Sequence, residues 1–309
     1  MKVIFMGTPD FAVPTLKKIY EHGDKIDLVI TQPDKPKGRG KKFLPTPVKK
    51  KALELGLEVY QPKSVNNEES ISLIRSLDPD IIVVVAYGQI LKEDILNIPR
   101  LGCVNVHASL LPKYRGAAPI NWAIINGEHK TGVTTMFMAK GLDSGDMLLK
   151  KEVDILEDTN AEQLHDELMN EGAKLLIDTM EGLNKKTIIP EPQEHKSSTY
   201  APMLNKELGH INWNKNCKDI RNLIRGTNPW PSAYFIYNDI KVKVFDGEII
   251  EKNVNESPGK IVDVDDNGIY IKCLDYLLLI KEIQFPGKKR MAVKDYLRGN
   301  EIKKNILLK

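Results

Sequence analysis

Asn105 and His107 are the two residues of this chain whose types and spacing most clearly permit chemistry. They end an apolar run that begins at Cys103, and this run predicts a strand over Cys103–His107. Because side chains alternate between the two faces of a strand, residues two apart project together. An amide can donate a hydrogen bond to a developing oxyanion, and an imidazole can take or give a proton near neutral pH. The pair could therefore stabilise a tetrahedral intermediate at a carbonyl carbon. The alternative is that the two residues only cap a turn.

No enzyme nucleophile accompanies this pair in the sequence. Ser109 follows closely, but it lacks the Gly-x-Ser-x-Gly turn that exposes a nucleophilic serine. The three cysteines, Cys103, Cys217 and Cys273, are far apart and odd in number, which argues against a disulfide framework and a structural zinc site. We therefore expect the substrate to bring its own nucleophile, most simply an amine, and we expect no metal ion.

Asp143 supplies a carboxylate that could complete the site. It lies in the sequence Gly-Leu-Asp-Ser-Gly-Asp, at Gly141–Asp146. A carboxylate there could keep His107 charged by pairing with it, or could accept the amine proton directly or through water. The sequence leaves both roles open, beside the simpler one that Asp143 only caps a turn. Asp146 is expected to be a structural partner, and Arg115 could likewise be structural, pairing with a carboxylate beneath the site.

The order of these groups resembles the folate-dependent formyltransferase family. The resemblance rests on Asn105-x-His107, on Ser-Leu-Leu-Pro-Lys-Tyr-Arg-Gly at Ser109–Gly116, and on Asp143. It implies transfer of a formyl group from 10-formyltetrahydrofolate, as co-substrate, to an amine. It also implies that Asn105, His107 and Asp143 are the catalytic residues. The folate contacts that we expect on the same ground are Ser109, Leu110, Leu111, Pro112, Gln89, Ile90 and Leu91.

The elements that must position these residues follow a βαβ rhythm through the first two thirds of the chain. Short runs rich in Val and Ile predict strands at Val3–Met6, Ile26–Thr31, Ile81–Ala86 and Cys103–His107. Helical periodicity between them, at Phe11–Tyr20 and Glu68–Leu77, predicts an α/β fold with a doubly wound, Rossmann-like parallel sheet. Ligands of such sheets bind beyond the carboxyl ends of the strands. The turn at Gly7–Asp10 lacks the further glycines of a dinucleotide fingerprint, so we expect no nucleotide there.

A second domain is predicted after a proline-rich segment. We expect a helix over 160–183, a catalytic domain over 1–189, a linker over 190–205 and a C-terminal domain over 206–309. In the last part, an amphipathic segment at Cys217–Arg225 precedes five short strand-like runs. These runs are Ala233–Tyr237, Ile240–Phe245, Lys260–Val264, Ile269–Cys273 and Leu277–Ile283. Five short strands separated by turns favour a small, OB-like β-barrel.

Basic residues are concentrated in two places. Residues 206–309 contain 19 Lys and Arg against 14 Asp and Glu, whereas residues 1–205 contain 26 against 28. In the first part, eight positive charges between Lys35 and Lys51 follow without a carboxylate, on a Pro- and Gly-rich loop after the second predicted strand. A charge run is usually only a solvated surface. This loop, however, should leave the sheet on the side of the catalytic residues, where it could hold a nucleic acid by its phosphates. The candidate contacts are Lys35, Lys37, Arg39, Lys41 and Lys42, with Lys288, Lys289 and Arg290 in the second domain.

The resemblance to the formyltransferase family extends over nearly the whole chain. Thr31–Lys42 is similar to the acceptor-stem loop of the members that act on a tRNA-borne amine, and Val84–Leu91 and Pro286–Met291 match the same members. This implies initiator methionyl-tRNA as the partner, and a monomer. Three alternatives stay open. A sugar-nucleotide formyltransferase acting on a 4-amino sugar shares the core motifs, a glycinamide ribonucleotide transformylase would end near the linker, and a tRNA-binding protein could retain a decayed site.

Composition fits an ordinary globular protein. At 309 residues, 41% hydrophobic and 28% charged, the chain is long enough for two domains with substantial cores. Its longest apolar run, Ile81–Ala86, is far too short for a membrane helix. The first residues lack the cleavage site of a secretory signal. We therefore expect a cytoplasmic protein with no membrane partner.

Overall fold

The computed structural model describes residues 1–37 and 42–308. These residues form two compact units, each built from segments that are separate in sequence. The first unit comprises Met1–Gly116, Thr131–Asp154 and His165–Tyr200. The second comprises Ala117–Lys130, Ile155–Leu164 and the chain from Ala201 onward.

The strands and helices follow the predicted alternation. The strands are β1 (Lys2–Gly7), β2 (Lys25–Ile30), β3 (Lys35–Lys37), β4 (Lys42–Leu44), β5 (Val59–Tyr60), β6 (Ile81–Val85), β7 (Cys103–His107), β8 (Arg115–Gly116), β9 (Lys130–Phe137), β10 (Met147–Asp154), β11 (Tyr200–Ala201), β12 (Ala233–Tyr237), β13 (Ile240–Ile250), β14 (Ile261–Asp265), β15 (Gly268–Lys272), β16 (Leu277–Gln284) and β17 (Met291–Ala292). The helices are α1 (Val13–His22), α2 (Pro47–Glu54), α3 (Glu68–Leu77), α4 (Glu93–Leu96), α5 (Pro119–Ile125), α6 (Ala161–Asn184), α7 (Cys217–Gly226) and α8 (Val293–Leu297). Short 3-10 turns lie at Asp10–Ala12, His195–Ser197 and Glu207–Gly209.

The first unit is built on a sheet with the strand order β10-β9-β7-β6-β1-β2-β5. Strands β7, β6, β1, β2 and β5 run parallel, and β9 joins β7 antiparallel. All five residues of β6 are buried, as expected for a strand covered on both faces. The predicted α/β fold is confirmed, with an antiparallel strand added beside β7.

Helix α3 shows how the sequence sets an element boundary in this unit. Asn67 precedes the helix in an extended conformation, and its side-chain oxygen accepts a hydrogen bond from the Ser70 amide at 2.7 Å. This is an N-cap, which satisfies one of the free amides of the first turn. The helix ends where Asp78 takes a left-handed conformation, with φ at 46°. The observed helix has the bounds that the sequence predicted.

The basic segment after β2 is only in part a loop, and here our prediction was wrong. Strands β3 and β4 pair antiparallel as a hairpin, and Lys49, Lys50 and Lys51 lie in helix α2. Thr46 caps that helix by accepting a hydrogen bond from the Lys49 amide. The helix forms because Pro47 is suited to a first helical position and Thr46 to the cap before it. Arg39 and Lys41 lie outside the described residues.

The second unit contains an antiparallel sheet with the order β12-β13-β16-β15-β14, and β17 pairs with β16. The five predicted strands are all present. Their inward side chains form one apolar core with Ile220 and Ile224 of the amphipathic helix α7. Helix α5 packs on α7 at Gly226, where an added β carbon would lie 2.5 Å from the Ile125 side chain. An antiparallel β domain is therefore confirmed.

No helix among residues 1–37 and 42–308 is long and apolar enough to cross a bilayer.

Candidate active site

Strand β7 presents Asn105 and His107. Asn105 pairs with Val84 of β6 and with Met136 of β9, and His107 pairs with Thr134 of β9. The strand over Cys103–His107 is as predicted, so alternation puts both side chains on one face of the sheet. Asn105 is half-buried and His107 is buried. Since β1, β2, β6 and β7 are parallel, their carboxyl ends share the edge of the sheet at which His107 lies.

The two nitrogens of His107 have different surroundings. Nε2 lies 2.9 Å from the carbonyl oxygen of Tyr114. Because a carbonyl can only accept, Nε2 carries a hydrogen in this contact. Nδ1 lies 3.6 Å from Oδ2 of Asp143, which is within ion-pair distance and longer than a hydrogen bond. The Nδ1 edge is therefore the one on which His107 can exchange a proton.

Asp143 is held in the loop between β9 and β10. Its backbone is left-handed, with φ at 45°. The amide of Gly116 donates a hydrogen bond of 2.8 Å to Oδ2, the same oxygen that faces His107. Oδ1 takes part in neither contact. The side chain is 15% exposed, so the carboxylate lies in a largely desolvated place where charge interactions are strong.

The Ser109–Pro112 loop is hydrogen-bonded to β9 close to His107. The Ser109 hydroxyl donates to the Lys113 carbonyl at 2.6 Å, and the Ser109 carbonyl accepts from the Thr134 hydroxyl at 2.7 Å. The Leu111 amide donates to the same Thr134 oxygen. Ser109 and Leu111 are buried, whereas Leu110 and Pro112 are partly exposed. The Ser109 hydroxyl thus has a structural partner within its own loop.

Residues Gln89–Leu91 follow β6 at the same edge of the sheet. The Gln89 side-chain oxygen accepts from the Val65 amide at 2.9 Å, and the Ile90 carbonyl accepts from the Asn66 side chain at 2.8 Å. The Ile90 side chain is 79% exposed, and Leu91 is buried. These contacts fix the backbone of the segment while leaving one apolar side chain in solvent.

Tyr87 lies two residues before that segment and is buried. Its hydroxyl has no hydrogen-bond partner among the residues that the structure describes. Burial raises the pKa of the phenol, so the group stays neutral at physiological pH. The Tyr87 carbonyl accepts a 2.8 Å hydrogen bond from the Thr8 hydroxyl, which ties the turn after β1 to the turn after β6.

The predicted polyanion contacts differ in their surroundings. Lys35 on β3 is exposed, and the backbones of Lys37 and Lys42 pair across the hairpin. Lys288 and Lys289 are exposed in the turn between β16 and β17. The remaining candidates, Arg39 and Lys41, lie outside the described residues.

Arg290 is engaged within its own unit. Its guanidinium stacks over the Phe245 ring at 4.5 Å and donates to Glu282 at 2.5 Å. The Glu282 hydrogen bond raises the pKa of Arg290. Because Arg290 already contacts the Phe245 ring and the Glu282 carboxylate, it is less free to bind a phosphate than Lys288 and Lys289.

Sequence reasoning missed two groups that surround the catalytic candidates. One is the Tyr114 carbonyl, which is a backbone atom and has no sequence signal. The other is Gln193, which lies in the segment predicted to be a linker and accepts hydrogen bonds from Arg115 at 2.6 and 3.0 Å. Arg115 also contacts His195, so its partners in the structure are these two side chains and not the expected carboxylate.

The described part of the chain contains no group of three or more His, Cys, Asp or Glu side chains arranged to hold a metal ion. Asn105 can donate a hydrogen bond, His107 can exchange a proton at Nδ1, and Asp143 can supply charge or accept a proton. These three abilities suit addition of a neutral nucleophile to a carbonyl group.

Comparison with known proteins gives one consistent family. The formyl transferase family model matches residues 1–180, and that of the formyl transferase C-terminal domain matches residues 203–301. The methionyl-tRNA formyltransferase of Clostridioides difficile (strain 630) is 53% identical over 308 residues, which is 100% of both chains. That of Clostridium acetobutylicum is 54% identical over 310 residues, again 100% of both. The solved structure of WlaRD, a sugar 3N-formyl transferase in the presence of dTDP and 5-N-formyl-THF, aligns with a TM-score of 0.67 at 24% identity, covering 94% of this chain and 99% of its own.

Proposed function

Because the chain belongs to the formyl transferase family, we propose that it transfers the formyl group of 10-formyltetrahydrofolate to the α-amino group of methionyl-initiator-tRNA. The observation that carries the proposal is the approach of Asp143 Oδ2 to His107 Nδ1, on a strand that also presents Asn105. The names of the full-length curated relatives support methionyl-tRNA, rather than a sugar nucleotide, as the acceptor of the formyl group.

The proposed reaction is a direct transfer without a covalent enzyme intermediate. The free amine attacks the formyl carbon, a C–N bond forms, and negative charge develops on the formyl oxygen. Asn105 and the Nδ1–H of His107 donate hydrogen bonds to that oxygen. The bond from the formyl carbon to the folate nitrogen then breaks and the electron pair returns to that nitrogen. The proton that the amine loses is passed to the same nitrogen, which gives tetrahydrofolate and the formylated amine.

Asp143 acts on this reaction through two oxygens. Oδ2, fixed by the Gly116 amide, compensates positive charge on His107. Oδ1 accepts the amine proton directly or through water. One carboxylate can then fill both of the roles that the sequence left open.

The folate binds beside this site, along two segments at the carboxyl edge of the sheet. We assign to it the loop Ser109–Pro112 and the segment Gln89–Leu91. Within them Leu110, Pro112 and Ile90 have exposed apolar surface for a ring system, whereas Ser109 and Leu111 serve through their backbone. Pockets of this kind are mostly apolar, with a few fixed polar groups.

The tRNA is held mainly by basic side chains. The catalytic domain contacts the tRNA through Lys35, Lys37, Arg39, Lys41 and Lys42. The C-terminal domain contacts it through Lys288 and Lys289, in the turn between β16 and β17, and Arg290 stabilises this turn by stacking on Phe245. Phosphate contacts of this kind give affinity and orientation and make binding depend on salt. We further propose that residues 1–189 are the catalytic domain, 190–205 the connection and 206–309 the tRNA-binding domain of a cytoplasmic monomer.

The decisive experiment is formyl transfer from 10-formyltetrahydrofolate to three acceptors measured side by side. These are initiator methionyl-tRNA, elongator methionyl-tRNA and a 4-amino-sugar nucleotide, each repeated with His107→Ala. We expect transfer to the initiator alone, and none with His107→Ala. Transfer to the sugar nucleotide alone would contradict the proposal that tRNA is the partner. The basic residues would then be only a solvated surface.

A further inference from the structure

Gln193 is a buried polar residue whose side-chain amide is hydrogen-bonded at both ends. It is 6% exposed and lies between Pro192 and the short turn at His195–Ser197. Its oxygen accepts from Nε and Nη2 of Arg115, and its nitrogen donates to the carbonyls of Asp143 at 2.9 Å and Gly145 at 2.7 Å. One side chain therefore connects the loop that carries Asp143 to the Tyr-Arg-Gly stretch at 114–116.

The orientation of the amide follows from these four contacts. Arg115 offers two donors and the loop offers two carbonyl acceptors, so the oxygen must face the guanidinium and the nitrogen must face the carbonyls. Among side chains of this length, an amide alone can serve both sets. Glutamate would lack the donor, and methionine would lack both groups.

The loop that Gln193 contacts is conformationally demanding. Asp143 is left-handed, which is unfavourable for residues other than glycine, although aspartate tolerates it better than most. Two residues later, a β carbon on Gly145 would lie 1.9 Å from the Phe137 carbonyl oxygen. A backbone packed this closely needs hydrogen bonds to hold one conformation, and both donors of the Gln193 amide are directed to it.

The contacts form a closed ring around the carboxylate. Gln193 binds the Arg115 side chain, the next residue Gly116 donates its amide to Asp143 Oδ2, and the Asp143 carbonyl returns to Gln193. The ring holds Asp143 through both its backbone carbonyl and its side-chain oxygen Oδ2. The 3.6 Å separation of Oδ2 from His107 Nδ1 depends on both.

We propose that Gln193 is a positioning residue for Asp143: its amide fixes the loop that holds the carboxylate against His107. The proposal rests on the function proposed above for Asp143. It assigns a part in the site to a segment that otherwise connects two domains.

The test uses Gln193→Glu, which changes one atom of the amide and keeps an acceptor for Arg115. The carboxylate faces two carbonyls without a hydrogen to donate, so the loop loses both bonds. We expect kcat for formyl transfer to fall about 10- to 100-fold at pH 8, since small misplacements of catalytic groups have effects of this size. KM for folate and for methionyl-tRNA should change less than about threefold, because Gln193 contacts the Asp143 loop and not the proposed substrate segments. Activity relative to the parent at the same pH should partly return as the pH is lowered, because a protonated carboxyl group can donate.

Gln163→Glu is the matched control. Gln163 is exposed, and its side-chain oxygen accepts from the Asn160 amide, a contact that glutamate preserves. This variant should keep the parent kcat. If the Gln193→Glu variant does not fold, Gln193→Met takes its place in the test. Methionine keeps the length of the side chain and lacks both polar groups.

A double-mutant cycle with Asp143→Asn separates positioning from a general loss of stability. If Gln193 acts through Asp143, adding Gln193→Glu to Asp143→Asn should lower kcat less than about twofold further. Full additivity, or a Gln193→Glu kcat within about twofold of the parent, would overturn the proposal.

Amide exchange of the segment Gly141–Asp146 gives a second readout that needs no turnover. Gln193→Glu should speed exchange there and at Gly116, with the strand amides of β1 and β6 unchanged. If the parent transfers no formyl group to methionyl-tRNA, the proposed function fails while exchange still tests the ring. If the parent is active and exchange is unchanged, the positioning role fails alone.

Discussion

Asp143→Asn isolates the charge of the proposed catalytic carboxylate from its shape. The Asn side chain has an oxygen in the same place, so the 2.8 Å hydrogen bond from the Gly116 amide can persist. The variant removes the negative charge that lies 3.6 Å from His107 Nδ1. At an effective dielectric constant of about 20, a full charge pair at this separation is worth roughly 4 to 5 kcal/mol. Because part of that interaction already exists before the reaction, we expect kcat to fall by roughly 10²- to 10³-fold, within the usual range for acid–base groups.

The assay is steady-state formyl transfer to initiator methionyl-tRNA at pH 7.5, with KM measured for both substrates. KM should change little, because an interaction made mainly in the transition state lowers kcat and kcat/KM together. Asp146→Asn is the matched control, since Asp146 is exposed and uses its backbone carbonyl to accept from Phe137. A kcat for Asp143→Asn within about threefold of the parent would refute the role of the charge, whatever the effect of the control.

Three further perturbations test other parts of the molecule. Arg39→Ala should raise KM for tRNA about three- to tenfold and leave KM for folate unchanged. It should also lower the slope of log affinity against log salt concentration by about one. Lys17→Ala, on α1, is the control, and an unchanged salt slope for Arg39→Ala would show that Arg39 does not contact the tRNA. Gly145→Ala places a β carbon 1.9 Å from the Phe137 carbonyl oxygen, so it should lower the free energy of unfolding by about 1 to 3 kcal/mol and lower kcat at least about tenfold. Urea titration measures the first effect and turnover the second. A kcat equal to that of the parent would show that the loop tolerates displacement. Hydrogen bonds to Asp24 and Glu181 raise the pKa of His22 above its ordinary 6.5, so this pairing stabilises the fold below the ordinary pKa and is lost as pH rises through the raised one. His22→Gln should therefore reduce unfolding free energy by about 0.5 to 1 kcal/mol at pH 5.5 and hardly at all at pH 9, and equal losses at both pH values would contradict the pairing.

Local patterns in the sequence were sufficient for most of the fold. Helix α3 could be predicted to the residue because Asn67 caps it and its apolar positions have helical spacing. Strand β7 and the five strands of the second unit are short runs with strong β propensity between turn residues, so periodicity and turn chemistry agree. Where local signals agree in this way, tertiary context has little to change.

The parts that could not be predicted depend on contacts between distant segments. The sequence predicts a Pro- and Gly-rich loop where helix α2 lies, and only the fold shows that Val48 and Ala52 of this helix are buried. The antiparallel direction of β9 is set by its pairing with β7, and no residue within β9 encodes it. Gln193 lies in a proline-rich stretch that is typical of a linker, and only the fold brings it to Asp143 and Arg115.

The same limit applies to the assignment of protons, where the structure adds an argument that sequence cannot supply. Since His107 Nε2 contacts the Tyr114 carbonyl, the proposed reaction leaves the Nδ1 edge to both the substrate oxygen and Asp143. At 3.6 Å, Asp143 Oδ2 is too distant to hold the Nδ1 hydrogen in a short bond, yet close enough to compensate the charge of the ring. In the proposed reaction the Nδ1 hydrogen is therefore available to the formyl oxygen as negative charge develops, while Oδ1 accepts the proton that the amine gives up. Tyr114, which contributes only a carbonyl to this arrangement, would thereby decide which nitrogen of His107 takes part in the reaction.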